Sequence, residues 1–171
     1  MDKAPRIAIV MGSDSDLPTM KSAVEVMQDF DMDFDLRVMS AHRSPDATHE
    51  FARTAEERGV KVIIAGAGGA AHLAGVIASK TALPVIGVPM PTDRAGGIDS
   101  MFSTLQMPRG VPVACMAIGG SGAKNAALLA IQILALSDDE VAAKFKEFKE
   151  AQVDGVEESN QQVQDWLAGQ Q

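Results

Sequence analysis

The sequence predicts an α/β protein built on an open, parallel β-sheet with helices on both faces. Short, predominantly apolar segments recur along the first 118 residues, each is followed by Gly, Ser or Pro, and helical patterns fill the intervals between them. Apolar residues at successive positions, rather than alternate ones, are typical of parallel strands that are covered on both faces. The chain has 171 residues, 46% of them hydrophobic and 22% charged, which suffices for one domain with a substantial core.

Five strands are predicted, with helices between them. The apolar segments cover 7–11, 34–39, 60–65, 85–88 and 113–118, and the helical patterns cover 17–29, 45–58, 72–81, 97–106 and 122–136. With right-handed crossovers this order gives a doubly wound sheet, in which ligands bind at the carboxyl ends of the strands. We predict a single domain over 1–171, with an α/β core at about 5–136 and a helical tail at 137–171.

Two of the helices carry start signals. Asp16 precedes Leu17 and Pro18, and Ser44 precedes Pro45, so each helix follows a residue of a capping type and begins with a preset φ. We therefore expect Asp16 and Ser44 to be N-caps. Gly59 is expected to end the helix that begins at Pro45.

The last predicted core helix and the tail carry unusual apolar surface. The segment 125–136 is apolar around almost its whole circumference, and a domain of this size cannot cover such a helix alone, so we infer a subunit interface. In the tail, one apolar stripe can form from Val153, Val156, Val163, Trp166 and Leu167. Two interpretations stay open for this stripe: a frayed terminus, or docking on another subunit.

Composition narrows the possible partners. The net charge is −8 and the basic residues are scattered, which argues against nucleic acid and anionic membrane surfaces and favours a small-molecule ligand. No apolar segment reaches the roughly 20 residues of a membrane span, and the N-terminus lacks a secretory pattern, so we expect a cytoplasmic protein. The single cysteine, Cys115, has apolar neighbours and is expected to be an inert, buried thiol.

Polar side chains follow the first two predicted strands. In GSDSD, Gly12 permits a tight turn and Ser13 offers a hydroxyl beside a helix N-terminus, a pattern that favours phosphate binding. Asp16 can cap that helix or accept hydrogen bonds from ribose hydroxyls. In SAHRSP, Arg43 suits a phosphate because its guanidinium is a planar fork, and His42 has a side chain that exchanges protons near neutral pH.

The position of His42 favours catalysis, because it lies at the expected ligand edge beside an arginine and opposite a Ser/Gly turn. His49 falls inside the following helix and is expected to be an ordinary solvated residue.

The loop after the third strand, GAGGAAHLAG, superficially matches a dinucleotide-binding fingerprint. It follows the third strand rather than the first, and the next strand has no acid at its tip, so a nicotinamide cofactor is disfavoured. Gly68 and Gly69 can instead let the backbone approach a flat heterocycle, with His72 near its edge. Tight packing alone is the alternative explanation for these glycines.

Two other kinds of site are not supported. GGSGAKN lacks the spacing of a Walker-type ATP site, which leaves Lys124 structural or electrostatic. The three histidines are dispersed and no paired cysteines occur, so we expect no metal.

Several motifs then follow in order across residues 6–136: GSDSD, SAHRSPD, AGAGGAAHLAG, GVP, DS-x-x-S-x-x-QMPRGVPVA and NAALLA-x-QIL. Together they closely resemble the class I family of 5-(carboxyamino)imidazole ribonucleotide mutases of de novo purine (IMP) synthesis. The resemblance implies a flavodoxin-like, three-layer α/β/α subunit, a homo-octamer and no cofactor. It also implies an isomerase that moves a carboxylate from the exocyclic nitrogen of the aminoimidazole to a ring carbon, through free aminoimidazole ribonucleotide and trapped carbon dioxide.

The resemblance also implies roles for individual residues. His42 matches the histidine that shuttles the proton, while Ser13, Ser40 and Arg43 would hold the phosphate and Asp16 would contact the ribose.

The glycine loop, with Gly68 and Gly69, would enclose the heterocycle, and His72 matches a histidine of secondary role. Residues 91–94 and the tail after 137 lie in stretches that vary in the family. Two alternatives remain: a class II relative that carboxylates aminoimidazole ribonucleotide directly with carbon dioxide, and a non-catalytic nucleotide-binding module.

Overall fold

The computed structural model describes residues 5–170 and contains one five-stranded sheet. Its strands are β1 (Ile7–Met11), β2 (Phe34–Val38), β3 (Val62–Ala67), β4 (Val85–Pro89) and β5 (Ala114–Cys115). They lie in the order β2-β1-β3-β4-β5, and every neighbouring pair is parallel. The chain passes from β1 to β2 on one side and then returns to β3 on the other, so the strand order reverses at β1. This is the flavodoxin-like order of a doubly wound sheet, which confirms the predicted fold class.

The helices fall where the sequence predicts them, although their ends differ. They are α1 (Leu17–Asp29), α2 (Pro45–Thr54), α3 (Leu73–Ala78), α4 (Ile98–Leu105), α5 (Gly120–Ala135) and α6 (Asp139–Ala168). A short 3₁₀ turn, Asp14–Asp16, precedes α1. The predicted helix over 45–58 ends four residues early as an α-helix and continues as turns to Gly59, whose φ of 94° is left-handed.

The central strands form the core. Every residue of β1, β3 and β4 is buried. The expectation that all strands are covered on both faces is wrong for β2, an edge strand whose Leu36 and Val38 are 41% and 55% exposed. β5, at the opposite edge, has only two residues rather than the predicted 113–118. Cys115 is consequently half-buried, not fully buried as expected, and this partial burial raises the pKa of its thiol.

The two predicted N-caps differ from the structure. Asp16 has helical backbone angles and makes no capping bond to α1; its carboxylate accepts a hydrogen bond from the Ser13 N–H at 3.1 Å instead. Ser13 is the N-cap of the 3₁₀ turn. The Ser44 hydroxyl accepts from the Ser40 N–H at 3.0 Å and makes no cap to α2. Both side chains therefore stabilise the loops before the helices, because each accepts a hydrogen bond from a backbone N–H of its own loop instead of from the first turn of its helix.

The chain forms two compact units, one ending at Ala130 and the other beginning at Ile131. The second unit contains the end of α5 and the 30-residue α6, whose N-cap Asp138 accepts from the Glu140 and Val141 N–H groups. The predicted tail is thus one continuous helix rather than a frayed segment, and its apolar residues from Val153 to Leu167 are 49–69% exposed. A single domain over 1–171 stays a prediction. Among the described residues, no helix is long and apolar enough to cross a membrane.

Candidate active site

Four loops at the carboxyl edge of the sheet line one cavity of about 430 Å³. They follow β1, β2, β3 and β4, which are neighbours in the sheet. In a parallel sheet the carboxyl ends of neighbouring strands share an edge, and their loops converge where the strand order reverses. The cavity therefore lies where the sequence predicts a ligand.

The structure brings together nearly all the predicted site residues. Those that line the cavity are Ser13, Asp16, Ser40, His42, Arg43, Gly68 and His72. Gly69 is not among the described residues that line it. His49, expected to have no role, does not line it either.

The first loop is organised by its own side chains. The Ser13 hydroxyl donates to the Asp14 carboxylate at 3.1 Å and accepts from the Ser15 N–H at 3.3 Å. The Ser13 N–H donates to the Asp16 carboxylate. Two backbone amides of this loop, those of Ser13 and Ser15, thus have hydrogen-bond partners within the loop. Burial raises the pKa of Asp16, while the bond from Ser13 opposes that rise. The N–H groups of Ser13 and Ser15 are therefore already hydrogen-bonded within the loop, while the side chains of both serines line the cavity.

In the second loop, Arg43 joins two strand ends. Its Nη2 donates to the Gly12 carbonyl at 3.0 Å, across from β2 to β1. The Ser40 hydroxyl accepts from the N–H groups of His42 and Arg43 at 3.3 and 3.1 Å, which fixes the turn that carries both. Over residues 5–170 no carboxylate forms an ion pair with Arg43. The remaining guanidinium donors can therefore bind an oxyanion.

Two imidazoles meet in the cavity. The Nε2 atom of His42 lies 2.8 Å from the Nδ1 atom of His72, and the rings are nearly perpendicular, at 85°. A hydrogen bond at this distance needs one nitrogen to carry a proton and the other to offer a lone pair. Which of the two facing nitrogens donates is set by the tautomers of the two rings. The arrangement can pass a proton to a bound molecule or take one from it.

Glycines at the end of β3 and in the loop after it are favoured for different physical reasons. A Cβ on Gly66 would lie 2.7 Å from Met20 Sδ, and one on Gly68 would lie 3.3 Å from Met90 Cβ. A Cβ on Gly69 would meet no described atom beyond its chain neighbours within 4 Å, but the φ of 64° is left-handed. Close packing thus accounts for part of the motif, and the sharp turn at Gly69 carries the chain on to His72.

The loop after β4 is a part of the cavity that was not predicted from the sequence. Met90, Pro91 and Thr92 line the cavity, although residues 91–94 belong to a stretch expected to vary in the family. The rule that strand ends meet at one edge could have found them, because β4 is the strand next to β3. The Thr92 hydroxyl donates to the Asp99 carboxylate at 2.9 Å, which ties this loop to α4. No group of metal-binding side chains is present among the residues described.

The fold and the cavity together define a class of protein: a doubly wound α/β protein with a small-molecule site where the strand order reverses. The site contains an arginine, several hydroxyl groups and a pair of imidazoles. The chain matches the model of the AIR carboxylase family over residues 6–154. It belongs to that family.

Curated relatives and solved structures agree with this assignment. The N5-carboxyaminoimidazole ribonucleotide mutase of Thermotoga maritima is 58% identical over 146 residues, covering 85% of this chain and 84% of the relative. The Escherichia coli K12 protein of the same name is 53% identical, covering 90% of this chain and 91% of the relative. A crystal structure of Treponema denticola PurE superposes with a TM-score of 0.83 at 29% identity, covering 92% and 98% of the two chains.

Proposed function

We propose that this chain is an N5-carboxyaminoimidazole ribonucleotide mutase, a cofactor-independent isomerase of purine biosynthesis. One observation carries the proposal: an imidazole pair opens into the same cavity as the Arg43 guanidinium, which has no ion-pair partner among residues 5–170. Relatives that bear this name are 53–58% identical and cover most of the chain. The volume of about 430 Å³ lies in the range that suits one small ligand.

The reaction requires two proton transfers. In the first step the bond between the exocyclic nitrogen and the carboxylate breaks, carbon dioxide leaves, and the nitrogen receives a proton. In the second step the ring carbon attacks carbon dioxide and then loses its own proton, so the net proton count does not change. One imidazole can serve both steps as acid and then as base. We assign this role to His42.

The other cavity residues hold the substrate. Arg43 would bind the phosphate with its remaining donors, and the hydroxyls of Ser13 and Ser40 would complete that contact. Asp16 would accept hydrogen bonds from the ribose hydroxyls. The geometry supports this division, since these groups lie on the first two loops, while the imidazole pair joins His42 of the second loop to His72 of the third.

The glycine loop would form the wall on the side of the heterocycle. Gly68, which lines the cavity, lets the backbone approach a flat ring closely. Carbon dioxide that forms against this wall stays beside the electron-rich ring carbon, where recombination has a high effective concentration. Escape of carbon dioxide would remove that advantage.

The class II alternative uses the same scaffold to carboxylate aminoimidazole ribonucleotide directly. Purified protein should be assayed with the carbamate substrate and, separately, with aminoimidazole ribonucleotide and low bicarbonate. We expect turnover of the carbamate to be much the faster. Preferential turnover of the second mixture would overturn the mutase assignment, and binding without turnover of either would favour a non-catalytic module.

We also propose a cytoplasmic homo-octamer. Apolar side chains that are exposed in the single chain support self-association, among them Phe102 at 51%, Leu136 at 87% and Trp166 at 65%. Native mass spectrometry of the purified protein should give a mass near eight chains. A monomer at micromolar concentration would refute the assembly.

A further inference from the structure

The turn at Gly69 is held from both sides by α4. Its N–H donates to the Ser100 hydroxyl at 2.9 Å, and its carbonyl accepts from the Ser103 hydroxyl at 3.1 Å. Ser100 is completely buried. These two serines are the pair in the DS-x-x-S motif of 99–103, to which the substrate contacts assign no role. The two serines therefore act on the glycine loop without lining the cavity, whereas Asp99 of the same motif binds Thr92, which does line it.

The two serines do not hold Gly69 equally. The Ser103 hydroxyl also donates to the Asp99 carbonyl at 2.8 Å, so its single proton is shared between two acceptors. The Gly69 N–H, in contrast, has the Ser100 oxygen as its hydrogen-bond acceptor. Loss of Ser100 leaves a half-buried amide without that partner, which is the more damaging change.

Gly69 in turn sets the position of His72. The Gly69 carbonyl accepts from the Ala71 N–H at 2.8 Å, and the Ala70 carbonyl accepts from the His72 N–H at 2.8 Å. His72 lies immediately before α3 and places its Nδ1 within 2.8 Å of His42. A shift of Gly69 therefore moves one member of the imidazole pair with respect to the other.

We propose that Ser100, assisted by Ser103, is a positioning residue for proton transfer: it fixes the Gly69 turn and thereby the spacing of His72 and His42. This inference rests on the proposed mutase function. The phosphate and ribose contacts lie on the first two loops, which neither serine touches. Substrate affinity should therefore survive the loss of Ser100, while the chemical step should not.

The test compares Ser100→Ala, Ser103→Ala and a control, Thr104→Val, in the full-length protein with the carbamate substrate. Thr104 is also a buried hydroxyl residue of α4, but its hydroxyl donates to the Ser100 carbonyl and leaves Gly69 untouched. We expect Ser100→Ala to lower kcat by about tenfold to a hundredfold, since small misplacements of reacting groups have effects of this size. KM should stay within about twofold, and the fraction of turnovers that release free aminoimidazole ribonucleotide should rise.

Ser103→Ala should show the same pattern more weakly, and it carries the test if Ser100→Ala does not fold. Thr104→Val should lose thermal stability without the change in kcat or in released intermediate. If the wild type is active and the folded serine variants have an unchanged kcat, the proposed function is not overturned, but the positioning role is. An equal loss of kcat in Thr104→Val would also overturn it, because the effect would then be general to α4. A wild type that does not turn over the carbamate would overturn the proposed function first, and this inference with it.

Discussion

His42 Nε2 and His72 Nδ1 form a 2.8 Å contact although 30 residues separate them in the chain. The contact exists because β2 and β3 flank β1, so the loops after them meet above its carboxyl end. The contact gives His42 a second imidazole as its hydrogen-bond partner at the cavity.

Arg43→Ala should raise KM for the ribonucleotide strongly. A hydrogen bond to a charged group contributes about 1.5–3 kcal/mol, which corresponds to roughly tenfold to a hundredfold in binding. Arg43→Lys should have an intermediate effect, because it keeps the charge and loses the planar fork. Steady-state kinetics measure both. Arg37→Ala is the matched control, since Arg37 pairs with Asp35 on β2 and does not line the cavity; a KM for Arg43→Ala equal to that of the control would reject the phosphate role.

Asp16→Asn should raise KM and yet stabilise the fold at neutral pH. Burial raises the pKa of Asp16, so the folded protein is penalised for carrying this carboxylate in its ionised form. Below the unfolded-state pKa of about 3.9 the Asp16 carboxyl is protonated and its burial does not lower the stability of the folded protein. As the pH rises through the folded-state pKa, the carboxyl ionises and that stability is lost. The variant should thus melt higher than wild type at pH 7, and the difference should shrink as the pH falls toward that range. Thermal melts at several pH values measure it, and a constant difference at all pH values would contradict the account.

Gly69→Ala should destabilise the protein by about 1–2 kcal/mol, because a residue with a Cβ resists left-handed backbone angles. Among the described residues, no atom beyond Gly69 and its two chain neighbours lies within 4 Å of the position that the new Cβ would take, so backbone strain is the expected cause. Gly155→Ala, in the interior of α6, also meets open space and should instead stabilise by about 0.5–1 kcal/mol. Urea unfolding of the two variants should give free energies of unfolding that change in opposite directions. Changes of the same sign would show that the angle at Gly69 is not the cause.

The sequence predicted the sheet and most of the cavity because both depend on pattern and topology. Apolar segments located the strands, although in β2 Asp35 and Arg37 alternate with apolar residues, as suits its exposed edge. The rule that parallel strand ends share an edge placed His42 and Arg43 beside Ser13. The same rule, applied to β4, could have added Thr92.

Other features depend on competition between neighbouring groups, which a linear pattern does not show. Asp16 has the residue type and position of an N-cap, but the Ser13 N–H takes its carboxylate. The predicted strand 113–118 is longer than β5, because apolar residues continue along the chain after the pairing with β4 stops at Cys115. The contact between His42 and His72 depends on the relative position of two loops that are far apart in the chain. The role of the Ser100 hydroxyl depends on its hydrogen bond from the Gly69 N–H, which the sequence alone does not indicate.

The most direct test of the account is His42→Asn, with turnover and substrate binding measured on the same sample. His49→Asn is the matched control, since His49 lies on α2 and does not line the cavity. We expect His42→Asn to lose at least about a hundredfold in turnover, as loss of a general acid–base group does, and to keep a dissociation constant close to that of wild type. Turnover at the wild-type rate in the folded His42→Asn protein would contradict the claim that this imidazole moves the proton.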